Sequence, residues 1–331
     1  MIAQLNKEYI NTRPTKFFSR LMSYFFFEGR PLTTKGQWIN PFLFFGYRII
    51  CFLPQLKKTK SPIFIVGTGR SGSTLLGIIL SMHKDAAYLN EPKALWHFAN
   101  DKEDLIGNYT QGKAFYKLKE TDATSRAASV MKKLYGFYLT SVFSKRVVDK
   151  YPELIFRIDY IKKIFPDARI LFLQRNGFQT AVSTAQWIED NREKKNNETH
   201  DWWGANNRKW NLLVEQVVSE SKLLNQHIEK IKKIKNQVEK AAVEWIVTME
   251  EGIDFQKKYP ESVLPVKYEV LISNPELVLS KIFSFCDLAS DVKCIQYAKR
   301  ITKRNSKNNS ETELQTFLMD AIHSLMKEIG Y

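Results

Sequence analysis

The sequence predicts an α/β protein, a three-layer sandwich in which a central parallel sheet is flanked by helices. Short apolar runs at residues 63–66, 86–89, 169–173 and 263–267 have the length and composition of buried strands. Segments with helical character separate these runs, and strands that alternate with helices form parallel sheets covered on both faces. A glycine-rich loop that directly follows the first run also supports this fold class.

The first 60 residues precede this alternating pattern and are predicted to form an aromatic and basic N-terminal extension to a domain of residues 61–331. Aromatic clusters alternate there with Arg20, Arg30 and Arg48, without a clear helical period. Such a segment is compatible with three placements: on a membrane surface, around the core, or over the active site.

The remaining elements follow the chain in order. Helices are predicted at residues 75–83, about 112–148, 158–165 and 178–188, then one or two within 206–251, with further helices to the end. The polar segment 189–201, rich in Asn and Lys, is predicted to be a mobile loop.

Composition limits the partners and the compartment. The net charge of +15 favours anionic partners, but the basic residues are dispersed without an arginine-rich tail, which argues against nucleic acid. The three cysteines suggest neither a disulfide framework nor a metal site, so a reducing, cytoplasmic location is expected. Residues 1–20 do not read as a signal peptide, and the apolar stretch 41–56 is too short for a confident membrane span. Membrane association through residues 1–60 stays open.

The loop at residues 67–74 reads GTGRSGST and nearly matches the nucleotide-binding pattern G-x-x-x-x-G-K-[ST]. Ser73 stands where the lysine is expected, and the only cation is Arg70. A strand, a glycine-rich turn and a helix N-terminus together form a phosphate cradle. The predicted fold is therefore P-loop-like, while the displaced charge suggests an anionic donor other than ATP.

Ligands of open parallel sheets bind beyond the carboxyl ends of the strands, which selects Glu91, Arg175 and Tyr268 besides the loop. An NTP-hydrolysing enzyme would carry a magnesium-binding Asp after a buried strand, whereas residues 169–173 lead to Arg175. A guanidinium there binds an anion. Ser183, eight residues later, shares that anion only if the turn brings the two residues together. Two anion sites fit a nucleoside with phosphates at both ends.

These motifs resemble sulfotransferases that use 3′-phosphoadenosine 5′-phosphosulfate. Residues 68–76 look like the family's 5′-phosphosulfate loop, and residues 175–183 look like its 3′-phosphate motif. Segments 202–204, 265–269, 274–276 and 282–288 extend the resemblance over about residues 61–290. The chain departs from the family where Gly69 replaces a frequent proline and where Asn-Gly replaces Asp-Pro after Arg175.

The resemblance implies a metal-independent sulfotransferase domain and assigns roles to residues. Donor binding would involve Gly69, Arg70, Ser71, Gly72, Ser73, Thr74, Arg175, Ser183 and Tyr268. Catalysis would involve Arg70 at the leaving oxygen, Glu91 as general base and Lys150 near the sulfuryl group.

Each assignment has an alternative. Glu91 alternatively caps a helix dipole ahead of Pro92, with His83 and His97 as rival bases. The alternative role of Lys150 is a solvated lysine paired with Asp149, and that of Tyr268 is a buried residue of the core. Residues 303–307 would fold over the 3′-phosphate or stay solvated. The tryptophans Trp187, Trp202 and Trp203 would stack on a ligand or pack in the core.

Two other functions remain open at this point: an unusual P-loop kinase, and a non-catalytic anion-binding protein on a membrane surface. The acceptor, whether glycan, lipid, peptide or small molecule, and the oligomeric state are not predicted.

Overall fold

The computed structural model describes residues 2–31, 36–110, 112–195, 198–302 and 313–331. The strands are β1 Ile63–Gly67, β2 Ala86–Asn90, β3 Arg146–Lys150, β4 Arg169–Gln174, β5 Glu193–Lys195, β6 Glu198–Asp201, β7 Gly204–Ala205 and β8 Val263–Lys267. The α-helices are α1 Lys7–Thr12, α2 Thr15–Phe26, α3 Asn40–Phe52, α4 Ser73–Ser81, α5 Lys93–Ala99, α6 Ser125–Ser141, α7 Ile158–Ile164, α8 Gly177–Asn191, α9 Arg208–Gln216, α10 Ile228–Ile231, α11 Gln237–Lys258, α12 Tyr268–Ser273, α13 Pro275–Phe285, α14 Val292–Thr302 and α15 Thr316–Glu328. Short 3-10 helices cover Ile2–Gln4, Gln37–Ile39, Asp101–Glu103, Glu120–Asp122, Pro152–Arg157, Val218–Glu220 and Asn225–His227.

The main sheet has five parallel strands in the order β2-β3-β1-β4-β8, which confirms the predicted fold class. Its register aligns the strand ends: Asn90 lies opposite Lys150, and Gln174 lies opposite Lys267. The residues that follow these strands therefore meet at one edge of the sheet. β1 is central, and the chain continues from it into the glycine loop.

Two apolar cores, one on each face of the sheet, explain why the central strands form. Along β1, Phe64 and Val66 join one core while Ile63 and Ile65 join the other, as the alternation of a strand requires. Helices α6, α7 and α11 cover the first face, and α4, α13 and α14 cover the second. Burial on both faces accounts for the continuous apolar runs in the sequence.

Two sequence-based predictions of local structure were wrong. The stretch predicted as largely helical over 112–148 contains α6 but ends in β3. The charged residues of β3 hide the apolar pattern expected of a buried strand. Asp149 is buried and accepts hydrogen bonds from Trp96 Nε1 (2.9 Å) and Tyr135 Oη (2.5 Å). Burial raises the pKa of Asp149 to about 7.

The second wrong prediction is the loop at 189–201. Helix α8 continues to Asn191, and β5, β6 and β7 then form a small antiparallel sheet. The region predicted as one or two helices over 206–251 contains α9 and most of α11, joined by short turns and α10.

The N-terminal helices pack directly against the domain. Helix α2 lies along β2, an edge strand, where Lys16 Nζ donates to Ala86 O (2.5 Å) and Arg20 Nη1 donates to Tyr88 O (3.0 Å). Glu28 completes this contact, because its carboxylate pairs with Arg20 (2.7 Å) and accepts the Asn90 N–H (2.9 Å). Across the described parts of the chain, no helix combines the length and apolar character needed to cross a bilayer.

Candidate active site

A cavity of about 750 Å³ opens at the carboxyl edge of the main sheet. Residues that follow all five strands contribute to its wall, as the aligned register requires. The lining residues are Pro31, Gly69, Arg70, Gly72, Ser73, Thr74, Leu75, Glu91, Lys93, Ile106, Pro152, Glu153, Arg175, Gln179, Trp187, Asp201, Trp202, Lys209, Tyr268, Glu269 and Ile272.

The glycine loop forms one wall of this cavity and depends on two glycines. Gly72 has a φ of +92°, and a Cβ there would lie 2.3 Å from Tyr268 Cδ2, so the ring packs directly on the backbone. A Cβ on Gly69 would lie 2.1 Å from Trp202 Cη2. Ser71 is buried, and its hydroxyl donates to Thr68 O (2.5 Å), which closes the turn ahead of α4. Side chains at either glycine would displace the aromatic residues of the cavity wall.

Two arginines converge beside the loop. Arg175 Nη1 donates to Arg70 O (2.8 Å), and Arg70 Nε lies 3.4 Å from Ser183 Oγ. The Arg175 guanidinium stacks 4.5 Å from the centroid of the Tyr268 ring. The loop cation, the cation after β4 and the helical serine therefore form one cluster, although Ser183 contacts Arg70 rather than bonding to Arg175.

This cluster carries positive charge without a compensating carboxylate. Within the described residues neither Arg70 nor Arg175 forms an ion pair, and Arg175 Nε has no hydrogen-bond acceptor. Glu269 lines the same cavity, but its carboxylate accepts from the Asn176 N–H (3.2 Å) and the Tyr331 hydroxyl. Burial and the neighbouring Arg175 lower the pKa of Arg70. Such an arrangement favours a bound anion.

Glu91 lies at another part of the wall, directly after β2. Its φ is +50°, an uncommon value for a residue other than glycine. The carboxylate binds Lys150 Nζ at 2.5 Å and lies 3.6 Å from Lys93 Nζ. Burial alone would raise the pKa of Glu91, but the two ammonium groups outweigh burial and lower it. Glu91 is therefore ionised at neutral pH.

The pair formed by Lys150 and Glu91 is the start of a chain of alternating charges. Lys93 lies 3.6 Å from Glu153, which pairs with Lys209 (3.0 Å), and Lys209 pairs with Glu244 (2.7 Å). Glu244 accepts the Trp202 indole N–H (2.7 Å). Burial opposes ionisation of both Glu153 and Lys209, yet their charged neighbours lower the pKa of Glu153 and raise that of Lys209. We call these six residues, Lys150, Glu91, Lys93, Glu153, Lys209 and Glu244, the charge ladder.

Sequence reasoning missed four members of the charge ladder. Lys93 and Glu153 each lie three residues beyond a strand end, so a wider search around those ends would have found them. Lys209 on α9 lines the cavity, and its partner Glu244 comes from α11; neither carries a sequence signal, because only tertiary packing brings them together.

The structure places the other predicted residues as follows. Lys150 is buried behind Glu91, Ser73 begins α4, and Thr74 and Tyr268 face the cavity. Trp187 and Trp202 also line it in an edge-on pair, whereas Trp203 is fully buried and donates to Gln237 (2.7 Å).

The rival histidines are outside the cavity lining. His83 bonds to Ala289 O (2.8 Å), and His97 stacks on Tyr109. Residues 303–307 lie outside the described residues. The described parts of the chain contain no group of three or more His, Cys, Asp or Glu side chains arranged to hold a metal ion.

Comparison with known proteins gives a family and a fold. A sequence model of the sulfotransferase family matches residues 62–228. An uncharacterized protein of Aquifex aeolicus is 25% identical over 263 residues, which cover 76% of this chain and 28% of that protein. Nodulation protein NoeE of Sinorhizobium fredii is 29% identical over 137 residues, covering 39% of this chain and 33% of NoeE.

This chain therefore spans about a third, or less, of the length of these two relatives. Among solved structures, the sulfotransferase domain from the curacin biosynthetic pathway aligns with a TM-score of 0.53 at 18% identity. The alignment covers 83% of this chain and 99% of that domain, and it supports the shared fold.

Proposed function

The chain belongs to the sulfotransferase family, and from this premise we propose that it transfers a sulfuryl group from 3′-phosphoadenosine 5′-phosphosulfate to an acceptor hydroxyl or amine. The observation that carries the proposal is the pair of guanidiniums, Arg70 and Arg175, which converge at the glycine loop and have no carboxylate partner among the residues that the structure describes.

The arrangement supports a donor with anionic groups at both ends. The backbone N–H groups at the start of α4, with the hydroxyls of Ser73 and Thr74, would bind the 5′-phosphate. Arg175 and Ser183 would bind the 3′-phosphate, and the Tyr268 ring would hold Arg175 in place through its stacking contact. Arg70 would lie between the two bound groups and would neutralise charge at the leaving oxygen.

The reaction needs a proton acceptor and charge stabilisation. The acceptor oxygen forms a bond to sulfur, and the bond between sulfur and the 5′-phosphate oxygen breaks, releasing 3′-phosphoadenosine 5′-phosphate. Glu91, ionised and half-buried, takes the acceptor proton. Lys150 contacts the same carboxylate and would donate to the developing negative charge as Glu91 becomes neutral. The fixed cations would stabilise this charge without a metal ion.

Binding measurements test the donor. Titration with 3′-phosphoadenosine 5′-phosphate and, separately, with ATP and magnesium is expected to show tighter binding of the bisphosphate. Tighter binding of ATP with magnesium would instead support a kinase.

Transfer is tested with donor labelled in its sulfate group, incubated with a mixed acceptor extract. A labelled product that disappears with Glu91→Gln is expected. Bisphosphate binding without transfer to any acceptor would support a catalytically silent anion-binding protein.

A further inference from the structure

Helix α2 has its polar side facing the protein and its apolar side facing outward. Its four buried residues are all polar: Lys16, Ser19, Arg20 and Ser23. Its phenylalanines point the other way, with Phe17 39%, Phe18 54%, Phe25 39% and Phe26 56% exposed. Surface helices of soluble domains show the opposite arrangement, since burial of apolar side chains stabilises them.

Helix α3 continues this pattern. Phe42, Phe45, Ile49 and Phe52 follow helical spacing and form an exposed stripe, with Phe52 89% exposed. The two helices are joined where Tyr47 Oη donates to Phe27 O, just after α2 (2.8 Å). We call the exposed residues of both helices, Phe17, Phe18, Phe25, Phe26, Phe42, Phe45, Ile49 and Phe52, the aromatic face.

The N-terminal segment that carries the aromatic face is rich in positive charge, although Lys16 and Arg20 lie on the buried side of α2. Residues 1–60 contain ten Lys and Arg against two Glu and no Asp, so they carry +8 of the net +15. Both glutamates are already paired, Glu8 with Arg300 and Glu28 with Arg20. Arg48 lies exposed within the α3 stripe, and Lys58 and Lys60 follow it, all three without an ion-pair partner in the described chain.

We propose that the aromatic face binds the surface of a lipid bilayer that contains anionic lipids, with α2 and α3 lying at the interface. Phenylalanine side chains insert among the acyl chains close to the headgroups, and lysine and arginine attract anionic headgroups. Neither helix needs to cross the bilayer, and neither is long enough to do so.

The charge and chemistry of the aromatic face favour lipid over protein. A second copy docking through the same face would bring Arg48 of one copy towards basic residues of the other, which is unfavourable. A protein partner would form hydrogen bonds, of which interfaces carry about one per 100–200 Å². The exposed positions of α2 and α3 offer few polar groups, chiefly Thr15 and Arg48. A bilayer interior forms no hydrogen bonds with the helices, so binding to lipid does not require such groups.

Vesicle flotation tests the proposal on the full chain. Vesicles of phosphatidylcholine with about one-third phosphatidylglycerol are expected to carry the protein upward, and pure phosphatidylcholine less so. Phe18→Ser, Phe26→Ser, Phe42→Ser and Phe45→Ser combined are expected to weaken binding at least about tenfold. The matched control, Leu277→Ser with Val292→Ser, removes exposed apolar side chains on α13 and α14 and should leave flotation unchanged.

A second readout reports contact with the acyl chains. Trp38 is 74% exposed and packs edge-on against Phe42. Brominated lipid should therefore quench part of the tryptophan fluorescence, and Trp38→Phe should remove that part.

Three results would overturn the proposal. The first is that the native chain binds neither kind of vesicle. The second is that the quadruple variant floats as well as the native chain. The third is concentration-dependent dimerisation in sedimentation experiments, abolished by the same substitutions, without vesicle binding; that result would assign the face to a second copy. Bisphosphate binding by each variant verifies folding independently of lipid, because all substitutions lie outside the cavity.

Discussion

The two sides of the cavity differ in how their charges are balanced. On one side, Arg70 and Arg175 lie together with no carboxylate partner among the described residues. On the other side, every charge of the charge ladder has an opposite neighbour within 3.6 Å.

Under the proposed function, this difference separates donor binding from chemistry. The arginine side is held together at a cost in charge repulsion, which a bound anion relieves, so it is suited to a ligand with fixed negative charge. The charge ladder is complete without a ligand and holds Glu91 ionised in one orientation. We expect four effects when residues on the two sides are replaced, described below from the largest to the smallest.

Removing the proposed base should have the largest effect. Glu91→Gln keeps the shape of the side chain but cannot accept the acceptor proton, so kcat is expected to fall about 10²- to 10⁴-fold. Binding of 3′-phosphoadenosine 5′-phosphate, measured by calorimetry, should change little because Glu91 is on the other side of the cavity. A small loss of kcat would show that another group takes the proton.

Breaking the charge ladder in its buried middle should cost stability. Lys209→Met leaves Glu153 and Glu244 buried without their shared cation, and the free energy of unfolding is expected to fall by about 3–5 kcal/mol. Lys222→Met, which removes an exposed pair with Asp254, should cost less than about 0.5 kcal/mol in the same urea titration. Equal effects of the two substitutions would contradict the contrast between the two sides.

Removing a cation from the arginine side should weaken donor binding rather than stability. Arg175→Ala is expected to raise the Kd of the bisphosphate by about 30- to 5,000-fold, equivalent to about 2–5 kcal/mol. Arg169→Ala is the matched control, since Arg169 begins the same strand at its opposite end. A change below about 0.5 kcal/mol for Arg175→Ala would place the 3′-phosphate elsewhere.

The smallest effect concerns pH. Lys150 and Lys93 lower the pKa of Glu91, so its ionised form persists as the pH falls and is lost only through the lowered pKa. Lys93→Met removes one lowering charge, and the acidic limb of the kcat/KM profile should therefore move to higher pH. Lys145→Met, which removes an exposed lysine paired with Asp85, should not move it. A limb that moves to lower pH would contradict the assignment of Glu91.

The sequence predicted the parts of the fold and site that follow local rules. Apolar runs located β1, β2, β4 and β8, and the positions after those strands indicated the loop, Glu91, Arg175 and Tyr268, which all line the cavity. Their functional roles stay predictions.

The parts that were missed depend on tertiary contacts. β3 carries Asp149 and Lys150 into the interior, where Asp149 Oδ2 accepts from Trp96 and Tyr135 and Lys150 pairs with Glu91, and no local pattern shows those partners. Lys209 lines the cavity from α9 and pairs with Glu244 on α11, and no local pattern links these two positions. The polar composition of residues 193–201 suggested a loop, whereas the backbone of β5 pairs with β6.

The inner side of α2 has a consequence for the whole sheet. β2 is an edge strand, and its outer backbone groups at Ala86, Tyr88 and Asn90 are met by Lys16, Arg20 and Glu28. Side chains of α2, together with Glu28 just after it, thus occupy the place where a sixth strand would otherwise pair. They block strand addition by another molecule, so the segment that precedes the glycine loop protects the protein against aggregation through this edge.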